Sequence, residues 1–173
     1  MSRKPDSPND TTVESVADAI RQTQPFQSPR HEAVVGLLLT VEDLRRPMQA
    51  LFGRHGELTQ QQYNVLRILR GARPKGLPTL EIVERMIEHT PGITRLIDRL
   101  EKKGLVARER SATDRRQVFC HLTKQGAALL RKLDRPVAAL DDQLLAGIDD
   151  REVATLIDLL DRVRHHVRRL PSS

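Results

Sequence analysis

Cysteine occurs once in this chain, at Cys120, and tryptophan not at all. A single thiol rules out an intramolecular disulfide and any cysteine-cluster metal site. Aromatic side chains are confined to Phe26, Phe52, Tyr63 and Phe119. So few stacking platforms argue against single-stranded nucleic acid as a partner. They also suit a helical core packed from Leu, Ile and Val better than a β-sandwich. Long apolar runs are missing too. The longest, Val34 to Leu39 with one glycine, falls far short of the ~20 residues that cross a bilayer. The opening MSRKPDSPND has no apolar signal region, so the chain reads as soluble and cytoplasmic, without a membrane partner.

Catalytic motifs are absent as well. No Gly-rich phosphate loop follows a strand, no nucleophile elbow is present, and no Cys/His pair has an orienting third group. The histidines (His31, His55, His89, His121, His165 and His166) show no metal-ligand spacing, and the adjacent last two point in different directions on a helix. The expectation is a protein that is not an enzyme and needs no metal or cofactor.

What the chain does have is helical periodicity. Residues 1–30 are polar, hold four prolines and read as largely disordered, although Val13, Val16, Ala17 and Ile20 would line one face of a short helix. From His31, Val34, Leu37, Leu38, Val41, Leu44, Met48, Leu51 and Phe52 recur at helical spacing. Pro47 lies inside that stripe and is expected to kink or split the helix. Thr59 and Gln62 form a capping-box pattern, with Leu58 and Tyr63 placed as a hydrophobic staple, for a helix ending near Gly71. GARPKGLP (71–78) reads as a loop, and Leu80–Ile87 as a short helix.

Thr90-Pro91 then supplies an N-cap and a first-turn proline, and Gly104 a left-handed stop. Residues 105–110 and 117–122 read as strands. Thr123 caps a long helix interrupted at Pro136, and Asp149 with Glu152 opens a last helix with Val153, Leu156, Ile157, Leu160, Val163 and Val167 on one face. The fold expected is mainly α with a small β-wing: a winged helix-turn-helix flanked by long helices. The boundaries are a largely disordered segment 1–30, a dimerisation helix 31–57, a winged helix-turn-helix lobe 58–123 and C-terminal dimerisation helices 124–170. The flanking apolar faces exceed what one small domain can cover, which predicts pairing with a second copy.

The excess charge is concentrated. From His89 to Gly126 nine Lys/Arg stand against four acids, a net +5, where the whole chain carries +6. A phosphate-binding surface requires such a concentration. On a helical wheel, Ile93, Leu96, Ile97 and Leu100 share one side, while Arg95, Asp98, Arg99 and Lys102 take the other with Thr94 at the flank. Any surface helix has a charged face, but this one is followed by two strands and a basic turn. A helix in the major groove needs a packed back and a hydrogen-bonding front. Arg95 and Arg99, one turn apart, can meet guanine edges or phosphates. Thr90 stands at the helix start and Gly92 in the first turn, where backbone N–H groups are accessible to a phosphate. Arg108 and Arg110 flank the turn that holds Asp114, Arg115 and Arg116. An arginine on a narrow turn can enter the minor groove, with a carboxylate to steady it.

These residues resemble the MarR family of bacterial transcriptional regulators. ITRLIDRLEKKGLV matches the recognition helix and its exit, and Asp114 with Arg116 the wing, while LTQQQYNVLRIL and LEIVERM are similar to the preceding two helices. The similarity spans roughly residues 35–165. It implies an obligate homodimer on double-stranded DNA, with recognition helices in successive major grooves of an inverted-repeat operator. Arg116, steadied by Asp114, would enter the minor groove, with Arg115 beside it. It also implies repression relieved by a small-molecule effector bound between the dimerisation helices and the DNA-binding lobe.

Two features depart from the family pattern. Met86-Ile87-Glu88-His89 stands where a glycine-containing turn is common, and Thr-Pro sits about one residue later than the usual Ser-Pro. Cys120, on the second wing strand rather than the first long helix, reads as a small buried hydrophobe and not as a peroxide sensor. The rival reading is a winged-helix interaction module that holds an acidic protein partner on its basic face.

Overall fold

The computed structural model describes residues 13–56, 58–87, 92–110 and 117–171. Two compact units divide the chain, Met1–Arg46 and Pro47–Ser173. In the first, helix α1 (Val16–Ala19) is capped by Ser15, whose hydroxyl oxygen accepts from the Asp18 N–H. This is the short helix expected within the N-terminal segment. It packs where α2 (Pro29–Gly56) has a glycine: a Cβ on Gly36 would sit 3.1 Å from Val16 Cγ2. Helix α2 begins at Pro29, two residues earlier than its apolar stripe suggests. Ser28 is the reason, because its hydroxyl accepts from the His31 N–H at 3.2 Å and Pro29 occupies the first helical position. Val34, Leu38 and Val41 on this helix are more than half exposed.

Pro47 and Pro136 were expected to interrupt their helices, and neither splits its own. Helix α2 runs through Pro47, and α6 (Lys124–Leu144) through Pro136. Each proline removes one i→i−4 bond, and the carbonyls left over belong to Asp43 and Lys132, both exposed residues where water can substitute.

The second unit holds the core. Helix α3 (Gln60–Gly71) opens on the full Thr59/Gln62 capping box. It buries Val65, Leu66 and Leu69 and packs against α4 (Thr79–Arg85), α5 (Ile93–Lys102), α6 and the sheet. Leu51, Phe52 and Leu58 close the core from the N-terminal side, and Leu130 and Leu133 of α6 close it from the other. Arg70 of α3 reaches Asp134 of α6 at 2.6 Å. The Tyr63 ring stacks on Phe52 with centroids 4.4 Å apart.

The sheet has three antiparallel strands in the order β1-β3-β2: β1 (Leu77–Pro78), β2 (Val106–Arg110) and β3 (Val118–Leu122). Both wing strands lie where the sequence suggests. The segment read wholly as loop contains β1, which exists because Leu77 and Pro78 pair with Cys120 and Phe119. Helix α7 (Asp150–Val167) carries its Asp149/Glu152 capping box, and its apolar residues Ile157, Val163 and Val167 are about half exposed.

Candidate nucleic-acid interface

Helix α5 is two-sided, as its wheel predicts. Leu96, Ile97 and Leu100 are buried and Ile93 packs against them, while Thr94, Arg95, Arg99 and Lys102 are exposed. Arg95, Arg99 and Lys102 form no ion pair with another described residue, so three cations face outward from one helix surface.

Both ends of α5 are set by glycine. The helix begins at Ile93 with Gly92 as its N-cap at φ 83°, ψ 31°, a left-handed conformation that an L side chain enters only at a cost. Gly92 therefore precedes the first turn instead of lying in it, and its carbonyl accepts from the Leu96 N–H. Thr90 and Pro91 lie outside the described residues, as do Glu88 and His89. At the far end Gly104 has φ 68°. Its N–H donates to the Glu101 carbonyl at 2.8 Å and the Leu105 N–H to that of Leu100 at 3.0 Å, a complete Schellman stop with Leu105 and Leu100 both buried.

That stop is tied to α6. The Thr123 hydroxyl donates to the Gly104 carbonyl at 2.7 Å and accepts from the Gly126 N–H at 3.0 Å, and the Thr123 N–H donates to Leu105 O at 3.2 Å. The exit of α5 and the start of α6 thus share one hydrogen-bonded corner.

Of the expected wing residues, Arg110 is exposed at the end of β2. Asp114, Arg115 and Arg116 lie outside the described residues. Arg108 and Asp98, both expected among the DNA contacts, form an ion pair with each other: Arg108 Nη2 is 2.6 Å from Asp98 Oδ1. The same nitrogen donates to the Thr94 carbonyl at 3.2 Å, and Nη1 is 3.7 Å from Glu101 Oε2. Glu101 was not among the expected site residues. The signal available was strand parity, since Arg108 shares a strand face with Val106, which is buried.

Cys120 is buried, 3.9 Å from the Thr79 hydroxyl. Burial pushes its thiol pKa up, with Thr79 and Arg108 pulling the other way. That protects the thiol form, as a small core residue should. Tyr63 is raised by burial as well, against the pull of Arg70 and Arg67. Among the described residues no cluster of His, Cys, Asp and Glu could hold a metal ion, and no helix is long and apolar enough to cross a membrane.

Residues 58–118 match the family model described as the MarR family. A protein of Thauera aromatica assigned as the transcriptional regulatory protein for the hcr operon is 30% identical over 116 residues, covering 67% of this chain and 69% of that one. The crystal structure of a MarR transcription factor from Planctomyces limnophilus is 39% identical, with a TM-score of 0.62, over 79% of this chain and 98% of that chain. The PcaV transcriptional regulator of Streptomyces coelicolor, solved in complex with its natural ligand, is 28% identical, with a TM-score of 0.63, over 80% and 93% of the two chains.

Proposed function

The chain belongs to the MarR family, and on that premise we propose that this transcriptional regulator acts as a homodimer on an inverted-repeat operator. Helix α5 of each copy lies in the major groove, with Thr94, Arg95, Arg99 and Lys102 toward base edges and phosphates. The first-turn N–H groups that follow Gly92 face a phosphate at the helix start. Each wing, with Arg110, Arg115 and an Arg116 steadied by Asp114, follows into the flanking minor groove. The protein represses by covering a promoter in the cytoplasm, and a small ligand relieves it.

The observation that carries this reading is the recognition helix itself: three exposed cations opposite a buried Leu96-Ile97-Leu100 back. The homodimer is supported by apolar side chains exposed on α2 and on α7, which at roughly 25 cal/mol per Å² gain most from a second copy. Relief by a ligand is supported by PcaV, a relative solved with its natural ligand.

Sedimentation of the protein alone and with a bound duplex tests the assembly. Two chains per duplex, with affinity falling steeply between about 50 and 200 mM salt, are expected. One chain per duplex, or a salt-insensitive complex, would refute the proposal.

A further inference from the structure

Arg108 stands in the middle of β2 and faces α5 rather than solvent, its side chain 25% exposed. Every α5 partner it has lies along about two turns of that helix: the Thr94 carbonyl, the Asp98 carboxylate and the Glu101 carboxylate. Asp98 and Glu101 are three residues apart and so share a helix face. A guanidinium, with its planar fork of donors, can engage both carboxylates at once. An ammonium presents a single charge centre. Across the sheet Arg108 pairs in register with Cys120, so its backbone is fixed at the centre of the β2–β3 ladder.

We infer that Arg108 is a positioning residue for DNA recognition and not itself a DNA contact. It pins the recognition helix to the wing strand, and it neutralises the only two acids of α5. This inference rests on the DNA-binding reading given above. Its first consequence is geometric. A helix and a wing that enter adjacent grooves must keep a fixed separation, and a charge-assisted clamp between them holds it. The second is electrostatic. An unmasked Asp98 beside Arg95 and Arg99 would place a negative charge among groups that must approach phosphates, and like charges repel across that low-dielectric contact. The reading surface is thereby narrowed to Thr94, Arg95, Arg99 and Lys102.

The test compares four proteins on the selected operator duplex: wild type, Arg108→Ala, Arg108→Lys and the double variant Arg108→Ala/Asp98→Asn. Arg108→Ala is expected to bind at least tenfold more weakly, with Arg108→Lys intermediate. The slope of log affinity against log salt should stay at the wild-type value. Removing the exposed carboxylate in the double variant should recover at least fivefold of the loss. Full affinity in Arg108→Ala, or recovery below fivefold in the double variant, overturns the inference. A salt slope shallower by about 0.9 would then identify Arg108 as a phosphate contact. Melting curves accompany each protein, and if the alanine variants unfold, Arg108→Gln with and without Asp98→Asn makes the same comparison. Absence of specific binding by the wild type would be a failure of the DNA-binding reading, and is seen before any variant is made.

Discussion

Gly126 is the position where one added methyl group should do the most damage. It lies in the first turn of α6, and a Cβ built there falls 2.3 Å from the Leu105 carbonyl oxygen and 2.7 Å from Leu122 Cδ1. The first of these is backbone, so relief requires α6 and the chain leaving α5 to separate by about 1 Å. The Thr123 N–H bond to Leu105 O and the Thr123 hydroxyl bond to Gly104 O cross that same gap. Overpacking costs about 1–3 kcal/mol. Weakening one of the two hydrogen bonds adds about 1 kcal/mol. Alanine in place of glycine in a helix returns about 0.5–1 kcal/mol. The net expectation for Gly126→Ala is a loss of about 2 kcal/mol, which for a chain of this size lowers Tm by about 4–8 °C. Urea unfolding at one fixed protein concentration measures it, because pairing with a second copy, as proposed, would make stability depend on concentration. Gly71→Ala is the control. It sits at the end of α3 with nothing within 4 Å of its Cβ, and should not lose more than about 0.5 kcal/mol. Equal stability of the two variants would refute the close approach of α6 to Leu105.

Three further outcomes are expected. Arg99→Ala should weaken operator binding by about 1–3 kcal/mol if Arg99 meets a base and flatten the salt slope by about 0.9 if it meets a phosphate; anisotropy titrations at several salt concentrations distinguish these, and unchanged affinity would remove Arg99 from the interface. Gly92→Ala meets no neighbour within 4 Å, so its cost is the left-handed backbone alone, about 1–2 kcal/mol by chemical denaturation; a neutral or stabilising effect would show that the helix does not start on a left-handed residue. Burial raises the Cys120 pKa above its ordinary 9.0, so the folded chain holds the thiol proton where the unfolded chain releases it. That contribution is complete below the ordinary pKa and is lost as pH rises through the raised one. Stability of the wild type should therefore fall more steeply above pH 9 than that of Cys120→Ala, and parallel curves would contradict the burial.

Much of the fold was legible because its signals are local. Both capping boxes, the Gly104 stop and the two-sided α5 rest on residues within a turn or two of each other, so spacing alone identifies them. The rest depends on distant partners. Nothing within GARPKGLP marks Leu77–Pro78 as a strand, because its hydrogen-bonding partner lies more than forty residues away at Phe119–Cys120. The two helix prolines read locally as kinks or breaks, yet neither splits its helix, and the carbonyls they free lie on the exposed residues Asp43 and Lys132. Thr90-Pro91 gave a sound helix-start pattern, but the left-handed Gly92 delays the helix to Ile93.

The candidate site divides the same way. Arg95, Arg99 and Lys102 were readable from a wheel. Arg108 looked like one more basic residue of the wing; its parity with Val106 hinted that it faces inward, but its partners Asp98 and Glu101 are fixed by the packing of β2 on α5.

Selection of duplexes from a random library, with the purified full chain at about 0.15 M salt, tests the central claim most directly. The account predicts enrichment of an inverted repeat whose half-sites are centred about one helical turn apart. An unenriched pool, with only salt-sensitive binding to any duplex, would contradict it and leave the basic face to an acidic protein partner.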